Sequence, residues 1–282
     1  EIGVRLVGSE MCIRDRVNGS EGDDPEYQLH KASVSIKQNG ENKEAYTIWR
    51  GVSYIGYPME SGSASPYYTA IKKGTYYWAP VNCGATRVAQ ARDGWDKKVE
   101  GTGNIYQWGR QDATNYGGST ASGPTSNSKP NNNTFYLLSS SPNDWLTPQN
   151  NSLWNGNSKG VNDPCPPGYR VPTIDELMSI GDPTEWDGSG GLYIVNAESG
   201  YPQLILPAAG LRSNNNGLFY DYGGASYCWS SSVLSGSTLA RCVYFNSVTF
   251  NQYTNNRATG LSVRCILSLI HISEPTRRTP IS

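Results

Sequence analysis

A cysteine framed by prolines constrains this chain more than any other sequence feature. Residues 162–177 read NDPCPPGYRVPTIDEL and place Cys165 between Pro164 and Pro166. Prolines hold the backbone extended, which lowers the entropy cost of presenting the thiol at one defined place. The pattern therefore predicts that Cys165 is held for a specific covalent partner.

A short helix signal follows this cysteine. Thr173 and Glu176 form a T-x-x-E capping box, which marks the start of a helix, and Gly181 marks its end. A helix of barely two turns is not stable alone in water, so another bond must hold it in place. We expect a disulfide to Cys265, at the end of a strand-like segment. That bond closes a loop of about 100 residues and contributes roughly 4 to 5 kcal/mol in the chain-entropy model.

The two ends of the chain carry the signature of a sequencing adapter. A DNA sequence that encodes LVGSEMCIRD, residues 6–15, can have a reverse complement that encodes LSLIHISEPT, residues 267–276. The two sides of a tagmented library show this relation, and both strings resemble translated transposase adapter. We therefore exclude residues 1–16 and 267–282 from fold reasoning as adapter-derived, and we expect that an upstream domain is missing.

The residues that remain, 17–266, offer little catalytic chemistry. The full chain's 23 Lys plus Arg and 24 Asp plus Glu fall to 18 and 20, because the excluded ends hold five and four, so the net charge is about −2. This charge provides no basic field for nucleic acid, and no apolar run of about 18 residues could span a membrane. His30 is the one histidine left, which argues against nucleophile and zinc schemes that need an imidazole. We expect no catalytic residue, no metal site and no cofactor.

Two segments follow the excluded N-terminus. Residues 17–71 read as β-rich, either as the tail of an upstream domain or as an N-terminal hairpin around the turn Asn39-Gly40. From residue 72 the sequence is richer in Trp and Gly. The polar-tipped aromatic residues and many turn formers there are typical of an extracellular, loop-rich domain.

Two more cysteines lie in the strand-like stretch before Cys265. Cys228 and Cys242 flank the turn SGST, residues 235–238, with a spacing that suits neighbours across a hairpin. We predict a second disulfide between them, with two free thiols as the alternative. Cys83 is then left over, either buried as a small apolar residue or paired with a cysteine outside this chain.

Four motifs make a family resemblance visible. DPCPPGYRVPTIDEL, LILPAAGLR, YCWSSSV and GLSVRC, in this order, closely resemble the Fibrobacter succinogenes major paralogous domain, and YYWAPVNCGATR and GNIYQWGRQ are similar to its opening. The family comprises secreted and surface proteins of Fibrobacter and Bacteroides-type bacteria. The resemblance covers residues 72–266. It implies an α+β fold similar to C-type lectin-like and sulfatase-modifying-factor domains, with short antiparallel strands, one or two short helices and long loops.

The resemblance also bears on the cysteines. It implies a disulfide between Cys165 and Cys265. Cys228 and Cys242 depart from the family pattern, and because both positions change together, the departure supports their pairing. An oxidase activity by analogy with the sulfatase-modifying fold would need these two thiols as a reactive pair in an exposed groove, and it rests on fold alone.

The family offers no established enzymatic activity to transfer, so we expect a non-enzymatic secreted or cell-surface module. One hypothesis is adhesin-like, fimbria-associated binding of an extracellular glycan or protein ligand through exposed aromatic rings. The alternative is a passive structural domain of a surface assembly with no small ligand. The candidate ligand-binding residues lie in and after a Gly-flanked turn and are Tyr220, Asp221, Tyr222 and Tyr227.

A further set of residues is predicted to be structural. Arginines inside strand-like motifs usually pair with carboxylates or cap carbonyl groups. Arg170, Arg212 and Arg264 are therefore predicted to form structural ion pairs, and Trp229 is expected in the core. The candidate acids for these pairs are Asp163, Asp175 and Glu176.

Overall fold

The computed structural model divides the chain into two compact units, Glu1–Pro58 and Met59–Ser282. Side chains are described from Ala70 onward, apart from those of Lys98 and Val99. The described residues are 3–6, 9–16, 29–38, 41–51, 56–58, 67–90, 98–114, 118–130, 132–166, 168–181, 185–188 and 191–268.

The first unit contains an antiparallel sheet of four strands in chain order. The strands of this unit are β1 (Gly3–Leu6), β2 (Ser9–Arg16), β3 (Leu29–Gln38), β4 (Glu41–Gly51) and β5 (Gly56–Pro58). Strands β3 and β4 pair from Leu29↔Gly51 to Gln38↔Glu41, which places a hairpin where the alternating pattern predicts one. Strands β1 and β2 lie in the segment assigned to adapter, and that assignment stays a prediction.

The second unit is built from short strands and two single-turn helices, α1 (Lys98–Thr102) and α2 (Ile174–Met178). Its first strands are β6 (Tyr67–Thr69), β7 (Ile71–Lys73), β8 (Tyr76–Asn82), β9 (Tyr106–Gln107), β10 (Thr120–Ser122), β11 (Phe135–Leu137), β12 (Tyr169–Arg170), β13 (Glu185–Asp187) and β14 (Leu192–Val195). The remaining strands are β15 (Leu204–Pro207), β16 (Leu211–Arg212), β17 (Phe219–Tyr220), β18 (Ala225–Val233), β19 (Leu239–Asn246), β20 (Phe250–Asn256), β21 (Gly260–Leu261) and β22 (Arg264–Leu267).

Within the second unit these strands form small, mostly antiparallel sheets. Two sheets have four strands, in the orders β12-β22-β8-β7 and β17-β16-β21-β9. Two have three strands, β13-β14-β15 and β18-β19-β20, and β10 pairs with β11 in parallel. Ile71 is part of the buried core of this unit, so the unit includes residues before the predicted start at Lys72.

Cys165 and Cys265 form a disulfide, which confirms the predicted pair. The two cysteines are 100 residues apart in the sequence, and their Cα atoms are 5.8 Å apart. Both are buried. Cys265 lies in β22, between β12 and β8, so the bond ties the proline segment to an interior strand of that sheet. Strand β22 continues to Leu267, one residue into the segment assigned to adapter.

Asp163 organises the proline segment from within. Its Oδ1 accepts hydrogen bonds from the backbone N–H of Cys165, at 2.8 Å, and from Nζ of Lys159, at 2.9 Å. Its Oδ2 accepts from the backbone N–H of Val171 at 2.9 Å. Its described partners are therefore Lys159 and the backbone rather than one of the three predicted arginines, and the carboxylate fixes the loop that presents Cys165.

Helix α2 begins with the capping box that the sequence predicts. The side chain of Thr173 accepts a hydrogen bond from the backbone N–H of Glu176, and the Glu176 carboxylate accepts from the backbone N–H of Thr173 at 2.8 Å. Ile174 and Leu177 are buried on the inner side of the helix. Packing and capping together therefore hold a helix of one turn that propensity alone could not maintain.

The three predicted arginines are all buried, but they find different partners. Arg170 forms a two-pronged ion pair with Glu176, with N···O distances of 2.7 and 2.5 Å. The described partners of Arg264 are Asn82 Oδ1 and two backbone carbonyl groups. Arg212 donates to the carbonyl groups of Thr114 and Gly217. Arg170 therefore has the predicted ion pair, whereas the described partners of Arg212 and Arg264 are backbone carbonyl groups and the Asn82 side-chain oxygen.

The hydrophobic core joins helix α2 to strands from three of the sheets. The tryptophans with nearly complete burial are Trp78, Trp108, Trp145, Trp154 and Trp229. Their indole N–H groups reach backbone carbonyl groups where the structure describes a bond, as in Trp229 to Tyr106 at 2.9 Å and Trp108 to Ser230 at 2.9 Å. Trp229 is thus a core residue, as the sequence predicts.

The second unit is therefore mostly β-sheet with short helices, which is compatible with the α+β class. None of the described helices is long and apolar enough to cross a membrane. The finer prediction, a C-type lectin-like fold, goes beyond these element bounds and stays a prediction.

The disulfide predicts a large and specific dependence on reductant. Replacing both Cys165 and Cys265 with Ala should lower the free energy of unfolding by roughly 4 kcal/mol, because a bond that closes a 100-residue loop restricts the unfolded chain strongly. Denaturant titrations of the wild type and of this double variant, with and without reductant, measure the effect. Reductant should destabilise the wild type and leave the double variant unchanged. Equal stability of the reduced and oxidised wild type would contradict the prediction.

The ion pair at the start of α2 predicts a pH-dependent stability. Burial raises the pKa of Glu176, but the hydrogen bonds and charge of Arg170, with the bonds from Thr173, outweigh burial and bring the pKa below its usual value. A lowered folded-state pKa gives stability that is complete above the unfolded pKa, about 4.3, and is lost as the pH falls through the folded pKa.

Glu176→Gln should therefore lower the free energy of unfolding by about 3 kcal/mol at pH 7, because it leaves the buried guanidinium of Arg170 without its charge partner. The difference from the wild type should shrink below about pH 4. Asp175→Asn is the matched control, since this acid in the same turn is exposed. A constant difference from pH 7 to pH 3 would show that the ion pair is not the cause.

Candidate functional site

Three tyrosines share one face of the sheet β18-β19-β20. The register sets Tyr227 directly opposite Tyr244. It also sets Tyr253 opposite Cys242, two residues before Tyr244 on β19. Because side chains alternate along a strand, all three tyrosines point to the same side of the sheet, here called the tyrosine face. The opposite side is in the core and carries Cys228, Val243, Phe245 and Phe250.

The three rings of the tyrosine face form a compact triangle. The ring centroids of Tyr227 and Tyr244 are 4.9 Å apart. The ring centroid of Tyr253 lies 6.2 Å from that of Tyr227 and 6.4 Å from that of Tyr244. All three pairs are tilted. Tyr227 and Tyr244 are half-buried, whereas Tyr253 is 54% exposed. The cluster is therefore partly open to solvent, unlike the tryptophans of the core.

Polar groups surround the rings. Asn246 donates from Nδ2 to the hydroxyl of Tyr244 at 2.8 Å. Asn251 lies opposite Tyr244 on β20 and is exposed. Asp221 is exposed, and its charge adds to the burial that raises the pKa of Tyr227. Apolar ring surface and hydrogen-bonding groups thus occur side by side, as in sites that bind amphipathic ligands.

Tyr227 is the fixed member of the cluster. Its carbonyl accepts hydrogen bonds from Ser262 Oγ at 2.8 Å and from the Ser262 backbone N–H at 3.3 Å. Burial, followed by the charge of Asp221, raises the pKa of Tyr227 far above its usual value. The phenol therefore keeps its proton throughout the physiological range and can donate a hydrogen bond.

The turn that carries Asp221 is held by close backbone contacts. Asp221 has a positive φ of 61°, and its carbonyl accepts from the backbone N–H of Gly224 and Ala225. Gly210 approaches this turn so closely that a Cβ there would lie 2.1 Å from the carbonyl oxygen of Tyr220. Only glycine fits at that point, so the position of Asp221 is built into the backbone.

Of the four predicted ligand-binding residues, Tyr227 is placed on the tyrosine face by its register, and Asp221 lies in the turn before β18. Tyr220 is 45% exposed and accepts a hydrogen bond from Asn216 Nδ2 at 2.7 Å. Tyr222 is half-buried in the turn. No described contact places Tyr220 or Tyr222 among the rings of the tyrosine face.

Sequence reasoning missed Tyr244 and Tyr253. The stretch CVYFNSVTFNQY, residues 242–253, carries the signal, because it places aromatic residues on two neighbouring strands. Using that signal requires the pairing register. The β18–β19 pairing is irregular between Trp229 and Val233, and this shift cannot be counted from the turn.

Cys228 and Cys242 are free thiols, so the predicted second disulfide is wrong and the alternative of two free thiols holds. The physical reason is the register. Cys228 pairs with Val243 and Cys242 pairs with Trp229, so the two cysteines are one residue out of alignment and point to opposite faces of the sheet. Cys83 is also free and buried. Its thiol donates to the carbonyl of Pro164 at 3.2 Å.

The environment of the two hairpin thiols does not suit nucleophilic chemistry. Both side chains are buried, and burial raises the pKa of Cys228 to about 11 and raises that of Cys242 further. A thiol is reactive only as the thiolate. An oxidase would need these two thiols in an exposed groove, and both are buried instead.

Few side chains that could bind a metal lie together in the part of the chain that the structure describes. Among those residues, no group of three or more His, Cys, Asp or Glu side chains is placed to hold an ion. In the turn after Tyr220, the backbone N–H groups of Gly224 and Ala225 donate to the carbonyl of Asp221.

Comparison with known proteins returned no relative. No family model, no curated protein and no solved structure matches this chain. The resemblance to the Fibrobacter succinogenes major paralogous domain therefore rests on the sequence motifs and stays a prediction.

The free thiols predict a distinct labelling pattern. Alkylation of the native protein with iodoacetamide at pH 8 should leave Cys228 and Cys242 unmodified, because both are buried and protonated. Unfolding without reductant should expose both to the reagent. Cys165 and Cys265 should label only after reduction and serve as the internal control. A cross-linked Cys228–Cys242 peptide in the mass spectrum of the unreduced digest would restore the disulfide prediction.

Proposed function

We propose that this chain is a non-enzymatic secreted or cell-surface module that binds a glycan through the tyrosine face. The observation that carries the proposal is the partly exposed cluster of Tyr227, Tyr244 and Tyr253 on one face of the sheet β18-β19-β20. An adhesin-like role, in association with fimbriae or another surface assembly, fits such a module. The proposed fold is the C-type lectin-like domain that the sequence motifs imply.

Sugars match both kinds of group on the tyrosine face. The C–H face of a pyranose ring packs on an aromatic ring, and its hydroxyl groups need hydrogen-bond partners at the edges. Tyr253 offers an accessible ring, and Tyr227 offers a protonated phenol. Asn251 adds an exposed amide group on β20, whereas the amide of Asn246 is already bonded to Tyr244, Val248 and Thr249. Tyrosine also loses little side-chain entropy on binding, because it has only two side-chain torsions.

Rigid positioning of the rings favours binding. The rings lie on paired strands, and Ser262 holds the backbone of Tyr227. A site that is already ordered loses less entropy when a ligand binds. The thiols that the oxidase reading needs are buried, so the non-enzymatic reading agrees better with the chemistry of the described residues.

The disulfide supports a location outside the cytoplasm. Bonds such as Cys165–Cys265 persist in oxidising compartments and are rare where cellular reductants act. An extracellular or outer cell-surface location of a bacterium is therefore part of the proposal.

A passive structural domain is the second candidate, and one observation favours it. The three rings pack on one another, and the hydroxyl of Tyr244 already has a partner in Asn246. Cross-strand aromatic pairs stabilise sheets without any ligand. In this reading the tyrosine face contributes only to stability.

Tyr253→Ala separates the two candidates. The full chain, labelled with a fluorophore, is applied to a printed glycan array as wild type and as the variant. Removing the most exposed ring should weaken binding about tenfold, because stacking of an aromatic ring on a ligand ring contributes roughly 1 to 3 kcal/mol. The melting temperature should change little, since the side chain is half in solvent.

Tyr220→Ala is the matched control, because Tyr220 has similar exposure but no described contact with the three rings. It should keep the binding of the wild type. A wild type that binds no printed glycan, or a Tyr253→Ala variant that loses stability but no binding, would favour the passive reading.

A further inference from the structure

Strand β20 is an edge of the sheet β18-β19-β20, and within that sheet it pairs with β19 alone. In an antiparallel pair, residues alternate between those whose backbone groups bond to the neighbouring strand and those whose groups point away. The N–H of Asn246 donates to the carbonyl of Thr249 at 3.0 Å, which fixes this alternation at the hairpin turn. Counting from there, Gln252 and Thr254 turn their backbone N–H and carbonyl groups away from β19.

The two edges of this sheet differ in what they contact. At the β18 edge, Ser262 donates its N–H to the carbonyl of Tyr227 at 3.3 Å, and its own carbonyl accepts from the N–H of Trp229 at 2.9 Å. Among the hydrogen bonds of the residues that the structure describes, none reaches the outward backbone groups of Gln252 or Thr254. The β18 edge is therefore bonded, whereas the β20 edge is open.

Strand β20 also lacks the features that usually keep a sheet edge unpaired. Such edges carry charged residues or proline, contain a bulge, or are very short. The seven residues of β20, FNQYTNN, include no charged residue and no proline, and they pair with β19 without a register shift. Asn251, Gln252 and Tyr253 are exposed. A regular, uncharged and accessible edge of this kind is a site where another strand can add.

A second copy of β20 fits this edge. Because the strand is uncharged, two copies meet without like-charge contacts. If Gln252 of one copy lies opposite Thr254 of the other, a two-fold axis relates the strands and each pair exchanges both of its backbone hydrogen bonds. A register shifted toward Asn256 would meet a carbonyl group that already accepts from the N–H of Thr259 at 2.9 Å. The outward groups of the two copies are thus fully paired in the first register.

The same register covers the most open ring of the tyrosine face. Tyr253 is 54% exposed. It lies between Gln252 and Thr254, so it would stand opposite Tyr253 of the second copy in a non-hydrogen-bonded pair, where side chains approach most closely. Cross-strand aromatic pairs stabilise sheets. A shifted register would lose this contact.

We propose that two copies of this chain pair antiparallel along β20 and join their two sheets into one. The pairing stops at two copies, because the β18 edges are already bonded. The two tyrosine faces then lie on the same side of the joined sheet. One strand edge is small beside the roughly 1,200 to 2,000 Å² that stable interfaces bury, so association is weak. The inference goes beyond the proposed glycan binding and does not require it.

Charged substitutions at Gln252 and Thr254 test both the contact and its register. Sedimentation equilibrium of the full chain at low salt, from about 1 to about 500 µM, should show a reversible dimer of the wild type with a dissociation constant on the order of 100 µM. Gln252→Lys/Thr254→Lys should weaken association at least about tenfold, because like charges meet across the edge. Gln252→Lys/Thr254→Glu should restore association, because opposite charges then face each other.

Ser247→Lys/Val248→Lys is the matched control. It adds the same charge at the exposed tip of the same hairpin, outside the proposed pairing. This variant should associate like the wild type. Circular dichroism and the melting temperature show that each variant is folded. Both edge variants keep all three tyrosines, so their glycan binding at concentrations where they are monomeric should match that of the wild type.

The inference and the proposed function fail in different ways. A wild type that stays monomeric throughout the range, or a Gln252→Lys/Thr254→Lys variant that associates like the wild type, would overturn pairing along β20. A folded Gln252→Lys/Thr254→Glu variant that stays monomeric would overturn it as well, because only the proposed register sets these two positions opposite each other. In each case glycan binding could still hold, and a dimer that binds no glycan would overturn the proposed function alone.

Discussion

Strand β22 is the constraint on which the second unit depends, because three kinds of bond meet in its four residues. Its backbone pairs with β12 on one side and with β8 on the other. Cys265 forms the disulfide with Cys165, and the buried guanidinium of Arg264 donates to carbonyl groups of Ala79 and Ile205. The disulfide adds to the stability that the buried core of this unit provides, because it restricts the unfolded chain.

Local signals in the sequence predicted local structure well. The capping box of Thr173 and Glu176 begins a helix, because the residues that form it are adjacent in the chain. The disulfide of Cys165 with Cys265 could be predicted because the prolines around Cys165 restrict its backbone. Such a restriction indicates a thiol that is held for a fixed partner. Hydrogen-bond partners that no residue type marks could not be predicted in this way. The backbone carbonyl groups that cap Arg212 and Arg264 are an example, since every residue carries one.

Long-range register explains why the candidate site was only partly predicted. The β18–β19 pairing is irregular between Trp229 and Val233, where the partner number of each residue changes by two positions. This shift sets Tyr244 directly opposite Tyr227. A change of two positions keeps every side chain on its face, so Cys228 and Cys242 lie on opposite faces in either register. Tyr227 and Asp221 were predicted from the turn residues around them. Tyr244 and Tyr253 join the candidate site only through the pairing register of β18, β19 and β20.

The path of the disulfide loop has a consequence for the effect of a single proteolytic cut. The loop from Cys165 to Cys265 encloses the turn of Asp221 and all three strands of the tyrosine face. Exposed loop tips are where proteases usually cut, and the tip at Val248 is such a place. After one cleavage there, both halves of the hairpin remain tethered through sulfur and through their strand pairing, so a nicked molecule keeps its fragments together.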